Sequence, residues 1–271
     1  MSEVAPTHQI AVIGLGKLGG ILLRAFLDQG LVRADHVSAT VGHQKNAEPR
    51  AGLFGVPVST DNPAAVQDAD IVLLCVKPAG VEALCREIAP LMADKLLISV
   101  AASVPTRAIE RHLPGVAVVR AMPNTPSVIG SGMTGLAAGR YATDEHLGLA
   151  QSLFDAIGRT VVLDEKHMDA VTGLSASGPA FIYVVLESLA EAGVKVGLPR
   201  EVATLLAAQT TLGAAAMVLQ SGNHPALLKD EVTTPAGCTI DGLLELEEGG
   251  LRVTLIKAVV KATQRAAELK G

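Results

Sequence analysis

His8-Gln9-Ile10-Ala11-Val12-Ile13-Gly14-Leu15-Gly16-Lys17-Leu18-Gly19-Gly20 decides how the rest of the chain is read. Ile10 to Ile13 form a short apolar run, long enough for a strand buried on both faces. Gly14, Gly16 and Gly19 follow at G-x-G-x-x-G spacing, and Ile21 to Leu27 then reads as a helix. In a dinucleotide site the first glycine permits the tight turn and the second lets backbone approach the pyrophosphate. The third lets helix pack on strand. The helix start adds free N–H groups and a positive dipole end for the phosphates. The spacing alone also occurs in ordinary glycine-rich turns, so its setting between a buried strand and a helix is what carries the reading.

A chain of 271 residues is enough for one large domain or two ordinary ones, and its 49% apolar content supports a substantial core. Aromatics are only 2% with no Trp, so core and interfaces are built from Ala, Leu, Val and Ile. A net charge of −5 without a basic cluster, and almost no stacking rings, argue against nucleic-acid binding. Cys75, Cys85 and Cys238 are widely spaced and odd in number, which suits a reducing cytoplasm and no disulfide framework. The polar start Met1 to Gln9 lacks the basic and apolar regions of a signal peptide. Ala203 to Leu228 carries no charged side chain, yet its Gln, Thr, Gly, Asn and Pro residues and many alanines fit a spanning helix poorly. It reads as a buried helix of a soluble protein, with no membrane partner.

Along the chain, strands are expected at His36 to Val41, Val56 to Val58, Asp70 to Val76, Lys95 to Ala101 and Val116 to Met122. Helices are expected after Val58, where Asp61 or Asn62 opens one with Pro63 in its first turn, and at Val81 to Leu91 and Thr106 to Leu113. This alternation predicts an α/β fold with a doubly wound, mostly parallel Rossmann-type sheet. Thr134 to Ala138 and Thr160 to Leu163 add two strands around a helix from Asp144 to Ile157. Past Asp164 the strand signals stop and the chain becomes helical. The expected division is a dinucleotide-binding domain at 1–164 and an all-α domain at 165–271. Val202 to Leu219 is apolar nearly all round, so both its sides should be covered, and a two-fold homodimer through this half follows.

Where an NAD site would place a carboxylate to hold the ribose, Thr40, His43 and Lys45 stand instead. That set suits a 2′-phosphate, so NADPH is expected over NADH. Gly173 to Gly178 has the look of a serine-hydrolase elbow, but position 177 is Ser and a helix, not a strand, precedes it. Seven scattered histidines give no metal-ligand spacing, so no metal is expected. Lys77 ends a strand on the ligand side, either as a catalytic cation or as a lysine near the ribose or solvent. Thr233 to Thr239 gathers small residues and hydroxyls before a helix. Its backbone N–H groups either bind a substrate carboxylate or belong to an ordinary interhelical loop.

Four stretches together resemble the pyrroline-5-carboxylate reductases. They are Val76-Lys77-Pro78, Met122-Pro123-Asn124-Thr125-Pro126, the run Asp169 to Ala180, and Leu228-Lys229-Asp230 through Thr239. They stand in the family's order and spacing, and the likeness covers essentially the whole chain. Ala176 replaces a usual Gly, Leu18 a frequent Met, and Pro235-Ala236-Gly237-Cys238-Thr239 the usual Pro-Gly-Gly-Thr/Ala-Thr. The resemblance implies reduction of the carbon–nitrogen double bond of 1-pyrroline-5-carboxylate to L-proline, the last step of proline biosynthesis, with hydride from NADPH or NADH. It implies Thr239 as the hydroxyl near the ring nitrogen, with Gly237, Cys238 and either Thr233 or Thr234 on the carboxylate. Glu165 would favour the cationic imine. For the cofactor it points to Gly14, Leu15, Gly16, Lys17, Leu18 and Gly19, then Thr40 and Asn62, then Val76, Lys77 and Pro78, and Ala101 and Ala102. An active site straddling a homodimer, and rings built from dimers, belong to the same implication. Competing readings are a reductase of a different cyclic imine, a beta-hydroxyacid dehydrogenase relative, for which Lys195 is misplaced, and a dinucleotide-binding scaffold that has lost its chemistry, against which the retained Thr239 counts.

Overall fold

The computed structural model describes residues 8–269; the polar start read for a leader lies, through Thr7, outside them. Eight strands form one sheet: β1 (Ile10–Ile13), β2 (Val37–Thr40), β3 (Val58–Ser59), β4 (Ile71–Leu74), β5 (Leu96–Ser99), β6 (Ala117–Met122), β7 (Gly132–Ala138) and β8 (Gly158–Val162). Their order is β3-β2-β1-β4-β5-β6-β7-β8, all parallel except the antiparallel β6–β7 pair. The strand order reverses between β1 and β4, where ligands of open α/β sheets sit beyond the carboxyl ends.

The helices among the strands are α1 (Lys17–Asp28), α2 (Ala47–Phe54), α3 (Asn62–Val66), α4 (Val81–Ile88), α5 (Thr106–Glu110), α6 (Asp144–Asp155) and α7 (Met168–Val171). The apolar run of β1 is explained by two cores. Ile10 and Val12 join one with Leu22 and Phe26 of α1, while Ala11 and Ile13 join the other with Leu84 and Ile88 of α4. Phe26 meets Phe154 of α6 edge-on at 5.9 Å. Each such fully buried side chain contributes roughly 1.5–3 kcal/mol.

After α7 come α8 (Gly178–Lys195), α9 (Arg200–Ser221), α10 (Pro225–Glu231), α11 (Cys238–Glu248) and α12 (Leu251–Glu268). Two compact units result, residues 8–177 with 262–269, and residues 178–261. The junction expected at Glu165 falls inside the first, because Met168 of α7 is buried with Met122 and Ala137 of the sheet. Within the second, α8 and α9 touch through small residues: a Cβ on Gly193 would lie 2.7 Å from that of Ala203.

Two helices depart from the sequence reading. α2 forms despite Pro49 and Gly52, held by buried Ala47 and Phe54 at its ends. The uncharged run Ala203 to Leu228 is not one helix. Gly222, at φ 68°, ends α9, and Pro225 opens α10 with the His224 ring accepting from Ala226 N at 3.2 Å. Nor is α9 buried within its own chain: only Ala203 and Ala207 are, while Leu205, Leu212 and Leu219 are 69%, 63% and 59% exposed. Glu165–Lys195 and Arg200–Ser221 are each long and apolar enough, by length and composition, to cross a membrane.

Candidate active site

The glycine turn between β1 and α1 is built to an interatomic fit. Gly14 sits at φ 95°, where a Cβ would press on the Cys75 backbone at 3.0 Å. A Cβ on Gly19 would lie 2.6 Å from the Gly14 carbonyl oxygen. Over Gly16 the space is open, the nearest atom to a Cβ there being 4.0 Å away. Gly16 caps α1 without a side-chain hydrogen bond, so the first-turn N–H groups of this 12-residue helix, which have no intrahelical partner, face outward unclaimed. An uncapped helix start below open space fits the pyrophosphate of a dinucleotide. Lys17 is exposed and Leu18 half-buried beside it.

Two of the expected cofactor residues serve the turn itself. The Thr40 carbonyl accepts from Gly14 N at 3.2 Å and Leu15 N at 2.7 Å. Leu15 is 1% exposed, so it fills core and its N–H is taken. Thr40 is likewise buried, and its hydroxyl donates to Asn62 Oδ1 at 2.8 Å. Asn62 in turn donates to Glu87 Oε2 at 3.0 Å. Thr40 therefore presents no free hydroxyl to a phosphate, which leaves the exposed His43, Gln44 and Lys45 beyond β2 for that contact.

At the ends of β4 and β5 the remaining expectations gather. Val76 is half-buried, and Lys77 and Pro78 are exposed. Ala101 is buried and Ala102 half-buried, and the chain then turns through Ser103 at φ 62°. A cleft of ≈ 560 Å³ beside this turn is lined by Pro78, Val81, Ser103, Val104, Arg111 and His112 among others. Below the turn lies a group of residues that patterning did not reveal. Glu165 accepts from Thr106 N at 2.7 Å and from the Thr106 hydroxyl at 2.8 Å, and Arg120 Nη1 lies 3.5 Å from its Oε1. Each oxygen of Glu165 thus accepts one hydrogen bond from its own chain, so the residue expected to favour the cationic imine is anchored by Thr106 and faces Arg120. Asn124 accepts from Met133 N at 2.9 Å and donates to the Ser175 carbonyl at 3.2 Å. It ties the Pro-Asn-Thr-Pro stretch to a π-helical turn, Thr172–Ala176, which contains Ala176.

The loop before α11 forms the second expected cluster. Thr233 donates its hydroxyl to the Lys229 carbonyl at 2.7 Å, so it has no proton left to offer a carboxylate. Thr234 is exposed, and its carbonyl accepts from Gly237 N at 3.0 Å. Ala236 stands at φ 57°, a left-handed conformation. Gly237 caps the 11-residue α11 without a side chain, leaving the N–H groups of Cys238, Thr239 and Ile240 free of intrahelical partners. Thr239, half-buried in that first turn, adds a hydroxyl to this donor set. An uncapped start carrying a hydroxyl can hold a carboxylate and address a neighbouring polar atom.

Comparison with known proteins agrees with this chemistry. A family model described as pyrroline-5-carboxylate reductase dimerisation matches residues 165–269, and one described as NADP oxidoreductase, coenzyme F420-dependent, matches residues 9–103. A pyrroline-5-carboxylate reductase of Methanosarcina acetivorans is 42% identical over 264 residues, covering 97% of this chain and 98% of the relative. The structure of the Coxiella burnetii pyrroline-5-carboxylate reductase superposes with a TM-score of 0.89 at 34% identity, covering 98% of this chain and 99% of that one. A Plasmodium falciparum pyrroline carboxylate reductase with NADP bound also gives 0.89, at 27% identity over 98% and 99% of the two chains.

Proposed function

The chain belongs to the pyrroline-5-carboxylate reductase family, and from that premise we propose how its own residues divide the work. It is an oxidoreductase that reduces 1-pyrroline-5-carboxylate to L-proline with NAD(P)H. When bound, the reduced nicotinamide supplies hydride to the imine carbon. The uncapped start of α1 and the open face of Gly16 receive the pyrophosphate. His43 and Lys45 meet a 2′-phosphate, which makes NADPH the preferred donor over NADH. The free N–H groups of Cys238 to Ile240, with the Thr234 hydroxyl, hold the substrate carboxylate, and Thr239 orients the ring nitrogen or relays its proton. A protonated cyclic imine is already electrophilic, so no separate acid/base pair is required. The observation carrying this reading is the presence of two uncapped helix starts, one under an open glycine and one bearing a hydroxyl.

The apolar faces of α8 and α9 are, on this reading, covered by a second copy of the chain and not by lipid. We place the enzyme in the cytoplasm as a homodimer, with rings of dimers as a further assembly, and take 165–271 as the part that binds substrate and dimerises. The test follows the absorbance of NADPH with racemic 1-pyrroline-5-carboxylate and identifies the proline formed. Thr239→Val should lower turnover at least about tenfold, since a hydroxyl aiding protonation or orientation contributes 10²–10⁴-fold. Unchanged turnover removes Thr239 from the reaction. A lower Michaelis constant for NADH than for NADPH overturns the donor assignment.

A further inference from the structure

Half-buried Glu165 and buried Thr106 and Arg120 form a polar brace whose two ends bracket the turn after β5. Arg120 is fully buried in β6, and strand register pairs it with Ser99, the last residue of β5. Thr106 begins α5 on the far side of the turn. Glu165 accepts both Thr106 donors and faces the Arg120 guanidinium, so it links the strand beside the turn's entry to the turn's exit. Among the described residues the Arg120 guanidinium donates no hydrogen bond, and the Glu165 carboxylate 3.5 Å away is a charge that compensates it. Between the two ends sits Ser103, 2% exposed, at φ 62°, with its hydroxyl unpartnered. A buried serine in left-handed backbone persists only where its surroundings over-determine it.

We propose that Glu165, seated on Arg120 and bonded to Thr106, is a positioning residue that holds the Ala101–Pro105 turn in the strained form on which the nicotinamide end of the cofactor rests. This rests on the dinucleotide reading above. The brace touches neither hydride donor nor acceptor; it acts through the turn. Misplacing a reacting group by about 1 Å can cost 10²-fold, so slackening the turn is expressed in hydride transfer as well as in folding.

The experiment compares Glu165→Gln, Thr106→Val and Thr106→Ser in the full-length enzyme. Turnover should fall roughly 10- to 100-fold in the first two, with a larger isotope effect on turnover from 4-deuterated NADPH, and recover in Thr106→Ser, which keeps both donors. Amide exchange across residues 101–106 should quicken in Thr106→Val, with and without NADPH. Three results overturn the proposal: a Glu165→Gln enzyme altered only in its Michaelis constant for the imino acid, which would make Glu165 a substrate ligand; a Thr106→Val enzyme with wild-type turnover and isotope effect; or exchange at 101–106 unchanged by either variant. If the wild-type chain fails to reduce 1-pyrroline-5-carboxylate, the functional reading falls, while the exchange measurement still decides whether the brace holds the turn.

Discussion

Ala236 shows how one methyl group can matter. At φ 57° its Cβ crowds the neighbouring backbone, a conformation costing an L-residue about 1–2 kcal/mol. The family pattern has glycine at this place, and the local geometry gives the reason. Ala236→Gly relieves the strain but adds freedom to the unfolded chain, so a net gain of up to about 1 kcal/mol is expected in denaturant melts. The thiols offer a second test. Desolvation pushes Cys75 up to about 12 and Cys85 up to about 11, from an ordinary 9.0. Because the folded state holds these protons more tightly, the stability they contribute is complete below about pH 9 and is lost as pH rises through 11 to 12. Cys75→Ala should flatten that alkaline fall in the denaturation midpoint, and the buried Cys85 should not react with a disulfide reagent until the chain unfolds. Residue identities told only part of this. Thr40 stood out by its place after β2 and Glu165 only through the family resemblance, and a sequence cannot reveal that a hydroxyl is already donated or that a carboxylate is already anchored.

For the elements, the β1–turn–α1 unit allows folding and cofactor binding to be separated. Gly19→Ala forces a Cβ against the Gly14 carbonyl and should cost about 1–3 kcal/mol of stability along with NADPH affinity. Gly16→Ala meets nothing in the protein, so its melting temperature should stay near that of the wild type while its NADPH dissociation constant rises at least about tenfold, equivalent to 1.4 kcal/mol. Titration of cofactor fluorescence beside thermal melts checks both. Elements with a clear period or a strong cap were readable: β1, β4 and β5 as apolar runs, and α3 through Asp61, whose carboxylate accepts from Ala64 N at 2.9 Å. α2 was not, because Pro49 and Gly52 mask a helix whose ends are fixed by tertiary burial. The antiparallel turn-back of β7 and the π-helical turn at Thr172–Ala176 leave no periodic trace, since each is set by partners far along the chain.

Over the whole molecule, the shortage of aromatic side chains leaves aliphatic faces to do the associating. Leu205, Leu212 and Leu219 recur every seventh residue on α9 and stand exposed in the single chain, within a segment matched by a dimerisation model. Leu212→Glu should weaken association by roughly 2 kcal/mol or more, as loss of a buried interface anchor does. Light scattering in detergent-free buffer would show the dimer giving way to monomer, with activity falling alongside; a wild-type chain that stays in solution only with detergent would point to lipid as the cover. The two-part organisation was legible because strand signals stop at one place in the chain, whereas the packing of 165–177 against the sheet was not, being a matter of Met168 finding Met122. The buried Arg120 also bears on how such a chain can vary over generations. A cation enclosed in a core tolerates the loss of its counter-charge poorly, at a cost of about 3–5 kcal/mol, while exchanging both for apolar residues is nearly neutral. Positions 120 and 165 are therefore bound to drift together or stay put, and a descendant altered at one alone would carry a scar that only its counterpart could heal.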